Sequence, residues 1–280
     1  MKPKVICFID SLNRGGAQKQ IILLANGLSV NYDVTILYYH NLNFLKDDIS
    51  KDVSIKKILS NNYLQRLLKI LFFLCKEKPR NIVSFLRGPC NISAIYKIMF
   101  FWRKINLVVG ERNLNINGLS IKDLIFRFSH FFANFIVSNS NSQKKVLLKY
   151  FSKSKIICIP NGTFFNSKIK DKFNIPDIYK FIVPARFIDQ KNPLGLLKAL
   201  SKVQNVHIYW YGDVFKDYKI YDKCIAFINE NKLNDRFFLK EPTNSIYSKI
   251  IKFDALILPS FHEGCPNAII DGMYCGVPIL

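Results

Sequence analysis

Acidic residues are scarce in this chain: 20 Asp and Glu stand against 41 Lys and Arg, giving a formal net charge of +21 over 280 residues. Nucleic acid, an anionic membrane surface and an anionic substrate all compete to explain such a balance. The usual footprints of a nucleic-acid binder are missing. The basic residues form no block of like charge, no zinc-finger spacing and no RNP-type aromatic signature. A lysine-rich surface accounts for most of the charge, with a membrane-facing side next and nucleic acid last. The seven cysteines are odd in number and contain no CxxC pair, which excludes a disulfide scaffold. Cys7 in KVICFI and Cys158 in KIICIP sit in strand-like runs and read as buried thiols of a cytoplasmic chain. Long apolar runs are lacking as well. YLQRLLKILFFLC, ISAIYKIMFFW and LIFRFSHFFANFIV are each broken by Lys, Arg or His, so none matches a bilayer span. MKPKVICFID enters a strand directly, without a signal-peptide profile. No DxD-type site and no His/Cys cluster of ligand spacing is visible, so no metal is expected.

What is present is an alternation of strands and helices. KVICFI, DVTILYY, NIVSFL, NLVVGE, NFIVSNS and KIICIP read as strands, with helices expected over 17–30, 63–77, 91–103 and 140–151. After a stretch with Gly, Asn and Pro near 160–178 the pattern resumes. FIVPAR, VHIYWYG, RFFL, ALILPS and VPIL read as strands, with helices over 191–203, 217–231, 244–252 and 266–275. Continuous apolar strands separated by helices imply parallel sheets covered on both faces. The expectation is an α/β chain of two doubly wound, Rossmann-like domains, 1–165 and 176–280. The second is expected to be incomplete, since nothing follows VPIL.

In such sheets ligands bind beyond the carboxyl ends of the strands, so the loops after the strands are informative. One of them, SFHEGCPNAIID, places Glu263 and Asp271 eight residues apart. Gly264 and Pro266 prevent one helix from joining them, so Glu263 belongs to a loop and Asp271 to the helix beyond. Pro266 suits the first helical turn, Asn267 can satisfy its amides, and Gly276 suits a left-handed close. A helix start with open N–H groups suits a diphosphate. Glu263 could instead simply favour the helix dipole.

EGCPNAIIDGMYCGVP resembles the E-x7-E signature of the retaining glycosyltransferases of family 4, written EGxPNxxxEAMAxGxPV. Other stretches resemble landmarks of that family in the same order. NRGGAQKQIILLANGL (13–28) is similar to its N-terminal glycine loop and helix, VSNSNSQKKVL to its closing strand and helix, IPNGT (159–163) to its hinge, and PARFIDQKN (184–192) to the loop that opens its second domain. The likeness covers essentially the whole chain. It implies a GT-B fold, two Rossmann-like domains facing across a cleft that holds a nucleotide sugar. Two positions depart from the pattern: Asp271 stands where the family has Glu, and Gln18, to which no role is given, follows the GGA loop.

The resemblance implies that Arg186 and Lys191 grip the donor diphosphate and, with Glu263, carry catalysis. Glu263 would bond the donor sugar, and Gly264, Cys265, Pro266 and Asn267 would line the turn beneath the phosphates. Asp271 would bind the ribose, and Gly15 and Gly16 would bring backbone close to the anion. Glu111 and Arg112 in GERN are acceptor-side candidates, a surface ion pair being the other reading. No nucleophile and no cofactor beyond the nucleotide sugar is implied. The reaction expected is transfer of a hexose or N-acetylhexosamine, from a donor that is expected to be a UDP sugar, to a glycan or lipid-linked glycan in bacterial surface polysaccharide synthesis. A peripheral position on an anionic membrane would rest on IYKIMFFWRK (95–104) and DLIFRFSHFF. A sugar-nucleotide epimerase of the same fold and an inactive, donor-binding remnant are the alternatives.

Overall fold

The computed structural model describes residues 2–112, 120–163, 169–170, 175–216, 219–243 and 246–280. It divides into two compact units, Met1–Gly162 and Thr163–Leu280; the sequence had suggested 1–165 and 176–280.

In the first unit the chain runs β1 (Lys4–Phe8), α1 (Gly16–Leu28), β2 (Asp33–Tyr38), β3 (Ser54–Lys57), α2 (Tyr63–Glu77), β4 (Asn81–Phe85) and α3 (Arg87–Met99). It continues through β5 (Asn106–Glu111), α4 (Ile121–Phe126), α5 (Phe128–Phe132), β6 (Phe135–Ser138), α6 (Asn141–Leu147) and β7 (Ile156–Cys158). The strands make one parallel sheet in the order β3-β2-β1-β4-β5-β6-β7. After Lys4 every residue of β1 is buried, as a strand covered on both faces must be. The order reverses between β1 and β4, so the loops after those strands open the ligand crevice of this sheet. Side-chain oxygens begin three helices of this unit: Asn62 accepts from the Gln65 N–H at 2.8 Å, Ser120 from that of Asp123 at 3.2 Å and Ser140 from that of Gln143 at 3.3 Å.

The second unit follows the same plan: β8 (Tyr179–Pro184), α7 (Pro193–Leu200), β9 (Val206–Tyr211), α8 (Lys219–Glu230), β10 (Phe237–Lys240), α9 (Ile246–Ile250), β11 (Ala255–Leu256) and α10 (Asn267–Tyr274). Its sheet is parallel in the order β10-β9-β8-β11. Neighbours along β8 serve opposite faces. Ile182 packs with Ile250, Leu256, Cys275 and Val277, while Val183 packs with Leu197, Trp210 and Phe237. The expected strand VPIL is reduced to a bridge from Ile279 to Leu256, with Leu280 N–H donating to the Leu256 carbonyl at 2.9 Å.

The structure corrects several expectations. β3 was missed because it is a four-residue, wholly exposed strand, SIKK, with no alternating pattern. LIFRFSHFFANFIV contains two short helices, α4 and α5, parted at Arg127 (φ −103, ψ 27). The third helix begins earlier than expected, at Arg87, and residues 101–103 form a separate 3-10 turn. Residues 217–218 and 244–245 of two expected helices lie outside the described residues.

Candidate functional site

Arg186 and Lys191 lie on the loop after β8, and Glu263 on the loop after β11. These strands are neighbours across the point where the second sheet reverses its order, so two loops distant in sequence emerge side by side. They are stitched together. Phe261 N–H donates to the Gln190 carbonyl at 3.0 Å, Gln190 Nε2 donates to the His262 carbonyl at 3.2 Å, and Lys191 Nζ bonds Glu263 Oε1. The Lys191 and Glu263 side chains are only 15% and 23% exposed, so this ion pair is partly shielded from solvent. Asn192 takes a left-handed conformation (φ 52), and its side chain accepts from Gly195 N–H at 3.1 Å, ending the loop and starting α7. Among the described residues, the buried Ser260 Oγ on the β11 loop has no hydrogen-bond partner.

Arg186 is exposed, but its neighbours are fixed. The Ala185 carbonyl accepts from Trp210 Nε1 at 2.6 Å, Phe187 N–H donates to the Asp213 carbonyl at 2.9 Å, and the Phe187 ring is buried 5.1 Å from Trp210. Gly212 passes so close that a side chain there would strike the Ala185 carbonyl. The guanidinium thus projects from an anchored backbone.

α10 begins at Asn267. The sequence places Pro266 in the first turn; in the structure it precedes that turn, extended (φ −73, ψ 119) at the capping position. Pro266 gives the helix no side-chain cap, and its first turn holds no acid. A helix start of this kind suits an anion. Gly264 is exposed and Cys265 half-buried in that turn. Gly276 ends α10 in the left-handed region (φ 69), as expected. Asp271 is 5% exposed, and its Oδ1 accepts from Thr163 Oγ1 at 2.6 Å and Tyr247 OH at 3.3 Å. Its carboxylate is thus already bound to two hydroxyls of the protein, a feature with no sequence signal.

In the first unit, Gly15 caps α1 in an extended conformation (φ −165), and α1 too lacks a side-chain cap and an acid in its first turn. Gln18 fills the space a Gly15 side chain would need, and its Nε2 donates to Asp10 Oδ1 at 3.0 Å. Buried Gln20 holds Gly162 twice, donating to its carbonyl at 2.7 Å and accepting from its N–H at 2.9 Å. Neither glutamine had been given a role.

Glu111 ends β5 and Arg112 follows it. Arg127 Nε donates to Glu111 Oε2 at 2.6 Å, and His130 Nε2 lies 3.4 Å from the same oxygen. The Glu111 side chain is 9% exposed, so the expected alternative of a surface pair does not apply. Burial pushes this carboxyl up, but contact with His130 and the charge of Arg127 outweigh burial and hold it below its ordinary 4.5. Arg112 donates to Asn161 Oδ1 at 2.8 Å and stacks over Phe85 at 4.0 Å. Asn113 lies outside the described residues. Burial and Glu111 raise the Cys90 thiol well above its ordinary value, so it stays protonated at neutral pH.

Among the described residues no three His, Cys, Asp or Glu side chains are grouped to hold a metal ion. No helix among the described residues is long and apolar enough to cross a membrane. Phe101 and Trp102 project into solvent at the end of 95–104.

No family model matches the chain. Two Campylobacter jejuni proteins are similar to it along nearly all its length. One, an N-acetylgalactosamine-N,N'-diacetylbacillosaminyl-diphospho-undecaprenol 4-alpha-N-acetylgalactosaminyltransferase, is 25% identical, the match covering 99% of this chain and 80% of that protein. The other, a GalNAc-alpha-(1->4)-GalNAc-alpha-(1->3)-diNAcBac-PP-undecaprenol alpha-1,4-N-acetyl-D-galactosaminyltransferase, is 24% identical over 97% of this chain and 77% of its own. The crystal structure of Anabaena HepE in complex with UDP and glucose superposes with a TM-score of 0.81 at 15% identity, covering 99% of this chain and 80% of that one. The fold is therefore GT-B, with a seven-stranded and a four-stranded parallel sheet in its two units.

Proposed function

We propose that this GT-B chain is a retaining glycosyltransferase that moves an N-acetylhexosamine or hexose from a UDP sugar to a lipid-linked glycan in bacterial surface polysaccharide synthesis. Glycosyltransferase chemistry on an undecaprenol-linked glycan is what both curated relatives are named for. The observation that carries the reading is the meeting of the Lys191 and Glu263 loops at the start of an uncapped helix. On this account a donor diphosphate takes Lys191 from Glu263. Lys191, Arg186 and the α10 amides then face charge that grows as the glycosidic bond breaks, favouring the transition state over the ground state. Glu263, once released, accepts hydrogen bonds from donor sugar hydroxyls. Gly264, Cys265 and Asn267 supply backbone donors, which Pro266 cannot. Asp271 reaches the ribose only by sharing its carboxylate with Thr163 and Tyr247. The leaving phosphate assists removal of the acceptor proton, and the reaction runs without a metal. The chain works on the cytoplasmic side of the membrane.

The test is incubation with a UDP sugar and an undecaprenyl-diphosphate-linked oligosaccharide, with NMR assignment of the new linkage. An α-linked product from an α-linked donor is expected, with turnover lowered about 100-fold or more by Lys191→Ala or Glu263→Ala. Inversion at the anomeric carbon contradicts the mechanism, and conversion of the donor without acceptor favours the epimerase.

A further inference from the structure

Thr163, the first residue of the second unit, and Tyr247, on α9, both reach Asp271 of α10. The three oxygens close a triangle. Thr163 Oγ1 lies 2.6 Å from Asp271 Oδ1, Tyr247 OH lies 3.3 Å from the same oxygen, and the two hydroxyls are 2.7 Å apart. All three side chains are held. Asp271 is buried, and the Tyr247 ring packs against the core around Ile182 and Leu256 and meets Tyr274 edge-on at 6.4 Å. A β-branched threonine is stiff about its first torsion. No role had been given to either hydroxyl.

Two hydroxyl protons serve these three contacts, so one contact is always without a proton. A carboxylate only accepts, so Thr163 donates to Asp271 along the shortest side. The Tyr247 proton then has two acceptors, Asp271 Oδ1 at 3.3 Å and Thr163 Oγ1 at 2.7 Å. Turning it from the first to the second takes only rotation about the phenolic C–O bond. The result is a chain in which each hydroxyl polarises the next, Tyr247 to Thr163 to Asp271. It also lifts one bond from the carboxylate oxygen, and another donor can take that place.

We infer that Thr163 and Tyr247 are positioning residues for the donor: Thr163 aims the Asp271 carboxylate at a ribose hydroxyl, and Tyr247 yields its bond to Asp271 as that hydroxyl arrives. The exchange leaves every proton with an acceptor. Tyr247 donates to Thr163, Thr163 to Asp271, and the ribose to Asp271. Neither residue touches the reacting atoms. The inference rests on the donor reading, in which Asp271 meets the ribose, and adds how a carboxylate already bound to two hydroxyls makes room for it.

Calorimetric titration of UDP and of its dideoxyribose analogue into the wild type, Thr163→Val, Thr163→Ser, Tyr247→Phe and a Thr163→Val, Tyr247→Phe double variant is the test. The wild type is expected to prefer UDP. Thr163→Val should weaken UDP about tenfold with a much smaller effect on the analogue, and Thr163→Ser should restore binding. Tyr247→Phe should weaken UDP by less. In Thr163→Val the Tyr247 proton has only Asp271 to turn to within the triangle, so the double variant should bind UDP more tightly than Thr163→Val alone. A merely structural network would make the double variant the weakest of all. Should Thr163→Val fail to fold, Thr163→Ala replaces it in both roles. In turnover, Thr163→Val should raise the donor KM by more than it lowers kcat. A wild type indifferent to the ribose hydroxyls, or a double variant weaker than Thr163→Val, overturns the inference. If the wild type binds no UDP, the donor reading falls and this one with it; if it binds UDP and Thr163→Val binds equally well, only this one falls.

Discussion

Glu263 is held by Lys191, Asp271 by Thr163 and Tyr247, and Glu111 by Arg127 with His130 beside it. None of these pairings was legible in the sequence, because E-x7-D marks a loop and a helix but says nothing about which side chains meet the two acids. Glu111 makes the clearest claim about pH. Its carboxyl is depressed below 4.5 in the fold, so the stability it contributes is fully present above that value and is lost as pH falls through the folded pKa. Thermal melts from pH 7 downward should show the wild type losing stability below 4.5 more steeply than Glu111→Gln. Parallel curves would mean that the carboxylate is not held ionised by its neighbours.

Most strands were readable at the scale of elements because buried parallel strands leave apolar runs, and exposed β3 leaves none. The packing between loops was not readable. Gly212 follows β9 in a stretch that looks like any strand end, yet it passes against the Ala185 carbonyl, beneath the loop that carries Arg186. Gly212→Ala is expected to cost about 1–3 kcal/mol by overpacking and to weaken donor binding, as read by chemical denaturation and calorimetry. Gly27→Ala is its opposite: nothing lies within 4 Å of a side chain there, and replacing a glycine inside a helix should stabilise by about 0.5–1 kcal/mol with donor affinity unchanged. Equal effects from the two substitutions would remove the packing argument.

At the scale of the whole molecule, the sequence disclosed a doubly wound plan repeated twice, and the reversal of strand order in each sheet then selected which loops mattered. The net charge of +21 identified no site, because lysines spread over a surface carry no address. Its consequence is collective. Phe101 and Trp102 stand 79% and 62% exposed among Lys97, Arg103 and Lys104, a combination that suits an anionic lipid surface. Co-sedimentation with phosphatidylglycerol vesicles is expected at low salt, to fall at high salt, and to fall again in a Phe101→Ala, Trp102→Ala double variant. No binding at low salt would end that idea.

The central claim, that the loops after β8 and β11 hold an activated sugar by its diphosphate, is tested most directly by calorimetric titration of a UDP sugar into the wild type, Arg186→Ala and Lys191→Ala. Saturable binding to the wild type, weakened about tenfold or more by each substitution, is the expected result. Unchanged affinity in both variants would contradict it.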